Sequence, residues 1–297
     1  TPIFADVDNY SGNISADTIS QIITPKTKAI ICVHLAGWPC DLDPIMKLSR
    51  EHNFYVIEDC AQAHGAKYKG RSVGSIGDIG CWSFCQDKIM STGGEGGMVT
   101  TNDKKLWNKM WSYKDHGKSF YSMYKKKHPP GYRWHHESFG TNWRMTEIQA
   151  AIGRVQLKKM KRWNQLRSRN ATFINNIAKK FNEIIYLPAF PKDCKHAFYR
   201  SYLYVKEDEL EKGWTRDKII EEINNKNVPC FSGSCSEIYL EKAFIKNKLN
   251  PSKRLPNAKK IGERSLCFLV HPTITKDELN YIGSVLKKVF KRASKVI

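Results

Sequence analysis

Asp59, Gln62, Ser83 and Lys88 crowd into a span of 29 positions (88 − 59 = 29), and glycines follow at 93, 94, 96 and 97. A lysine amine can form a Schiff base with a carbonyl. A carboxylate can hold a proton on a nitrogen ring by ion pairing, and a serine hydroxyl can donate to an anion. Glycines next to the lysine permit tight backbone turns that bulkier residues block. Each residue alone has an ordinary reading: Asp59 as a strand end, Lys88 as a solvated lysine, the glycines as a loop. The joint arrangement carries the chemistry.

The elements that must position these residues are strands. Phe54 to Ile57 is a short apolar, β-rich run, so Glu58 and Asp59 fall where a buried parallel strand ends. A second run, Ile79 to Phe84, delivers Ser83 and then, in the following loop, Lys88. In open α/β sheets the carboxyl ends of strands line the ligand crevice, and the spacing is about one strand-to-strand unit. An aldehyde cofactor whose ring nitrogen must stay protonated to stabilise a carbanion is what this set suits, which makes pyridoxal phosphate the leading reading.

Four blocks of sequence sharpen this. Val56 to Gly65, Gly77 to Phe84, Lys88 with the Gly93 to Gly97 turn, and Gly140 to Ala151 resemble, in order, the DegT/DnrJ/EryC1/StrS family of sugar aminotransferases. The resemblance extends from Thr1 to about Val289. It implies an α/β, fold-type I transferase of the aspartate aminotransferase kind that depends on pyridoxal phosphate, with a smaller α+β C-terminal domain. It implies that Lys88 bonds the cofactor and then shuttles the substrate proton, that Asp59 pairs with the pyridinium, and that Gln62 packs beside the ring and its phenolic oxygen. Ser83 matches a phosphate ligand. Asn142 matches an asparagine that reaches the phosphate of a neighbouring subunit, which implies a homodimer with shared active sites. The implied substrates are a nucleotide-linked keto-sugar and an amino-acid donor, usually glutamate, in amino-sugar or cell-surface polysaccharide synthesis. A dehydratase branch of the family carries histidine in place of the lysine, so Lys88 favours transamination. Family members usually begin with a further strand-helix-strand region, so the chain is expected to be a fragment of a longer protein, with a truncated or non-catalytic member as the alternative.

For the substrate, His34 at a predicted strand end, Arg144 and His196 are the candidates, with His64, Tyr199 and His271 behind them. Without the resemblance, Asn142 reads as a turn residue, Arg144 as a salt-bridge partner and His34 equally as a histidine satisfied by backbone.

The balance of 49 Lys and Arg against 29 Asp and Glu gives a formal charge of +20 over 297 residues. Such a charge can steer an anionic ligand or bind nucleic acid. The basic residues are widely spread, and no zinc-finger, RNP or basic-zipper pattern occurs, which disfavours nucleic acid. No apolar run is long enough to span a bilayer. The nine cysteines are odd in number and lack a paired metal-binding spacing, so no metal is expected and they read as reduced thiols of a cytoplasmic protein.

Strand and helix signals alternate from Thr1 to about Tyr113: strands at 28–33, 54–57, 79–84 and 98–101, and a helix at 44–52. That is the doubly wound pattern. Residues 114–139 form an aromatic, basic excursion over the site mouth. Thr146 and Gln149 make a capping box. The expected division is a cofactor-binding domain over 1–160 and a small domain over 161–297, with a strand at 196–205 and helices at 217–227 and from Thr275 to Lys291.

Overall fold

The structure is a computed structural model, and it describes residues 1–295. The apolar runs become β1 (Ala29–Val33) and β2 (Tyr55–Asp59), followed by the short β3 (Lys67–Tyr68) and β4 (Arg71–Ser72), then β5 (Ile79–Ser83) and β6 (Gly97–Thr100). Four of them form a sheet in the order β1-β2-β5-β6. β1, β2 and β5 run parallel, with Val33, Asp59 and Cys81 in register. β6 returns antiparallel to β5. The doubly wound expectation for 98–101 is corrected here: the 84–96 connection contains no helix to carry a parallel crossover.

Two helices, α1 (Ala16–Ser20) and α2 (Leu42–His52), belong to this unit. Ser15 starts α1 with a capping box, and Asn53, left-handed at φ 55°, ends α2. Ile19, Ile30, Cys32, Leu42, Ile45, Phe54 and Val56 form their shared core with one face of the sheet. The other face, which the register assigns to Ile31, Val33, Tyr55 and Val99, stays open: these side chains are 61%, 40%, 55% and 51% exposed.

After α3 (Lys104–Lys114) and the short α4 (Phe120–Tyr124) comes α5 (Glu147–Ala178), started by the Thr146–Gln149 capping box. The boundary expected at residue 160 falls inside this helix. Beyond it lie β7 (Ile185–Tyr186), β8 (Cys194–Lys195), β9 (Ser201–Val205), α6 (Arg216–Asn224), β10 (Cys230–Phe231), α7 (Lys242–Lys246), α8 (Pro256–Arg264), β11 (Ser265–Phe268) and α9 (Lys276–Ala293). The second sheet is antiparallel, in the order β10-β11-β9-β7. Its core gathers Ile174, Leu203, Ile219, Leu266, Phe268, Leu286 and Phe290. β8 pairs with β3, so the two units share a small third sheet. The strand expected over 196–205 begins only at Ser201, because Phe198 adopts φ 50° and interrupts extended backbone. Among the described residues no helix is long and apolar enough to cross a membrane.

Candidate active site

Asp59 ends β2 and Ser83 ends the neighbouring β5. Since Asp59 pairs with Cys81, alternation puts Asp59 and Ser83 on one face, the open one, at the carboxyl edge of the sheet. The Asp59 carboxylate accepts the Ala61 N–H through Oδ1 at 2.9 Å and pairs with no cation among the described residues. Ser83 Oγ accepts the Cys85 N–H at 3.3 Å, which leaves its proton free to donate. Gln62 sits in the turn after β2, and its Oε1 accepts the Ala36 N–H at 2.7 Å. That bond fixes which way the amide points, so Nε2 is the end left over.

Lys88 emerges from the loop after β5, its side chain 17% exposed. Its Nζ lies 3.2 Å from Asp87 Oδ1, and Tyr199 donates its phenolic hydrogen to Asp87 Oδ2. The Lys88 ammonium also stands 5.3 Å from the centre of the Tyr199 ring. Burial works against the charge on Lys88, but Tyr199 and Asp87 outweigh it and hold the amine above its ordinary range. The loop itself is pinned from α5: Ser91 N–H donates to Gln156 Oε1 at 2.8 Å, and Gln149 Nε2 donates to the Glu95 carbonyl at 2.8 Å. Gly93 has φ 84°, a left-handed conformation that favours glycine, and a Cβ there would stand 2.8 Å from the tip of the Ile152 side chain.

The remaining candidates are placed differently. His34 is fully buried. Its Nδ1 accepts the Cys40 N–H at 3.0 Å, so its proton sits on Nε2 and is donated to Glu58 Oε2 at 3.0 Å. The expectation that His34 faces a sugar is therefore corrected: it has neither surface nor a free nitrogen. Asn142 and Arg144 are exposed, and they bond each other at 3.0 Å while Arg144 approaches Asp115 at 3.7 Å. The structure does not bring either of them to Lys88. His196 stacks on Phe198, rings 4.0 Å apart and 2° from parallel, and its Nδ1 accepts the Phe198 N–H at 2.8 Å. Its neighbours desolvate it and push it down to about 3, so it is neutral. It lines a cleft with Trp38, Phe190 and Tyr202. His271 is exposed and bonds Thr273 at 2.6 Å.

Sequence reasoning missed Asp87, although its position beside Lys88 was a signal, and it missed the part played by Glu58. That carboxylate is completely buried and, besides the His34 bond, accepts the N–H groups of Gly74, Ile76 and Gly77 at 2.7, 2.8 and 2.6 Å. Burial favours its neutral form, but His34 and these amides prevail and hold it below the usual carboxylate range. With His34 and Glu58 the Cys60 thiol forms a tight buried trio, but the carboxylate's acceptor sites are taken by protein donors, so the trio is structural.

The parallel strands bring an acid and a hydroxyl to their carboxyl edge, where open α/β sheets hold their ligands, and a lysine follows on the next loop. The chain belongs to the DegT/DnrJ/EryC1/StrS aminotransferase family, whose model matches residues 1–287. It is similar to the crystal structure of an aminotransferase from Psychrobacter cryohalolentis, at 59% identity and a TM-score of 0.97, covering 99% of this chain and 76% of that one. It is 34% identical over 290 residues to the GDP-perosamine synthase of Escherichia coli O157:H7, spanning 98% of this chain and 73% of that protein. A UDP-N-acetyl-3-dehydro-alpha-D-glucosamine 3-aminotransferase of Acidithiobacillus ferrooxidans is 32% identical over 291 residues, 97% of this chain and 71% of its own.

Proposed function

We propose that this chain binds pyridoxal phosphate at the Asp59, Ser83 and Lys88 edge and moves an amino group from an amino acid, glutamate in the first instance, to a nucleotide-linked keto-sugar. The observation that carries the reading is the shared face and edge of Asp59 and Ser83, with Lys88 on the loop that follows. The residues fit the cofactor. Asp59 keeps a carboxylate oxygen for a ring N–H, Ser83 keeps a hydroxyl proton for a phosphate oxygen, and Gln62 keeps Nε2 for a phenolic oxygen. When bound, the cofactor supplies an electron sink for the carbanion at the substrate carbon. Asp59 would keep the ring nitrogen protonated, and Lys88 would hold the carbonyl and, once displaced by the donor amine, carry a proton off the substrate carbon. The names of the relatives support a nucleotide-sugar acceptor.

Asn142 belongs to this reading as a contact to a second copy. Tyr132, Trp134, Phe139, Trp143 and Ile148, each at least 69% exposed, surround it in sequence and support a homodimer across that surface. The nine free thiols support a cytoplasmic site of action, and the two separate apolar cores support a cofactor unit and a small unit, with α5 spanning both.

Adding pyridoxal phosphate to the purified chain should give a visible absorption band that Lys88→Ala abolishes and that glutamate converts to a shorter-wavelength one. Wild-type amination of a keto-sugar by Lys88→Ala would defeat the assignment.

A further inference from the structure

We propose that Asp87, clamped by Tyr199, is a positioning residue that holds the amine of Lys88 as an ammonium at the crevice edge and thereby sets the pH at which Lys88 attacks a carbonyl. The proposal rests on the reading of Lys88 as the carbonyl-reactive lysine. Three contacts carry it. Asp87 Oδ1 faces Lys88 Nζ at 3.2 Å, Asp87 Oδ2 accepts the Tyr199 hydroxyl, and the Tyr199 ring lies 5.3 Å from the same ammonium. Both carboxylate oxygens are therefore engaged, so the carboxylate cannot rotate away from the lysine without losing the phenol. Tyr199 is itself fixed. It is 7% exposed, its N–H donates to the Ala36 carbonyl at 2.8 Å, and the Arg200 guanidinium stands 4.9 Å from its ring. Ala36 is the residue whose own N–H orients Gln62, so the clamp and the Gln62 amide share one anchor.

Other charged or titratable groups lie near the lysine or its clamp. Cys85 and Glu95 lie on its loop and bond each other at 3.4 Å, and His64 comes from the turn after β2; Arg200, from the segment before β9, and Arg167, from α5, stand against Tyr199. Asp87 is the one carboxylate within ion-pairing distance of Nζ among the described residues.

The chemistry follows from the charge. An ammonium has no lone pair, so Lys88 must first give a proton to water. The neutral amine then forms a bond to the carbonyl carbon, the carbon–oxygen double bond breaks, and the oxygen departs as water with the two hydrogens lost by the nitrogen. Nothing is oxidised or reduced. A carboxylate that stabilises the ammonium delays the first step to higher pH, and it must release Nζ when the bond forms.

Lys88 acetylation by dilute acetic anhydride, followed by peptide mass spectrometry across pH on the purified full chain stripped with hydroxylamine, reads this directly. The exposed Lys125 of the same digest serves as internal standard. Asp87→Asn should lower the Lys88 midpoint by about one pH unit, which is roughly tenfold faster labelling below the midpoint. Tyr199→Phe keeps the ring and frees the carboxylate, and should move the midpoint the same way by less. Unchanged Lys88 midpoints in both variants would overturn the proposal, and if Asp87→Asn fails to fold, Tyr199→Phe decides. The labelling needs no cofactor. A shifted midpoint in a protein that gives no band with pyridoxal phosphate would support the role of Asp87 and remove the cofactor assignment instead.

Discussion

At the scale of single residues, the candidate site divides into groups proposed to face the crevice and groups that hold its floor. Lys88, Asp59 and Ser83 do the first; Glu58, His34 and His64 do the second. His64 is 4% exposed, neither ring nitrogen has a hydrogen-bond partner among the described residues, and the ring packs 5.3 Å from Trp82 and 5.9 Å from Phe84. Burial, with Lys88 and Arg167 nearby, pushes it down to about 4. The unfolded chain, with an ordinary histidine near 6.5, then binds more protons than the folded one between those values. Stability contributed by His64 is therefore present above about pH 6.5 and lost on acidification toward about pH 4, by up to about 3 kcal/mol. His64→Phe should flatten that part of the curve in urea melts, and an identical acid slope would refute this account. The places of Asp59 and Ser83 at strand ends and of Lys88 on the next loop were legible in the sequence, because short apolar runs mark the strands that carry them. His34 was not, since its fate depends on Glu58, a residue 24 positions away on the adjoining strand, which only the register of β1 with β2 brings alongside.

At the scale of elements, α5 holds the reactive loop. Gln149 and Gln156 lie two turns apart on the helix, and each bonds one backbone group of the 84–96 connection. Gln156→Ala should leave the fold intact and speed amide hydrogen exchange in residues 84–97 by roughly tenfold, as loss of about one net hydrogen bond would. Unaltered exchange there would show that the glycines and Ile152 suffice to pin the loop. The start of α5 was readable from its capping box. Its reach past residue 160 was not, because Lys158, Lys159, Lys161 and Arg162 are exposed and leave Met160 alone to mark the buried side there. The alternation of residues 196–205 suggested one long strand; the His196 ring instead takes the Phe198 N–H and turns the chain before β9 begins. Local pattern cannot show a side chain that competes with the ladder.

At the scale of the whole molecule, two properties pull against each other. The described structure leaves Ile31, Val33, Tyr55 and Val99 on an uncovered sheet face, and the sequence carries a formal charge of +20. The described chain thus joins an oily plate to a surface of net positive charge. Dissolved salt decides between them, because the screening length falls from about 10 Å at 0.1 M to about 3 Å at 1 M. Static light scattering at a fixed protein concentration should rise with sodium chloride, and Ile31→Lys should suppress the rise. Scattering that stays flat with salt would mean the plate does not adhere. Where repulsion is strong the particles stay dispersed; once it is screened, the same plates that leave the crevice edge open become the surfaces through which particles flocculate.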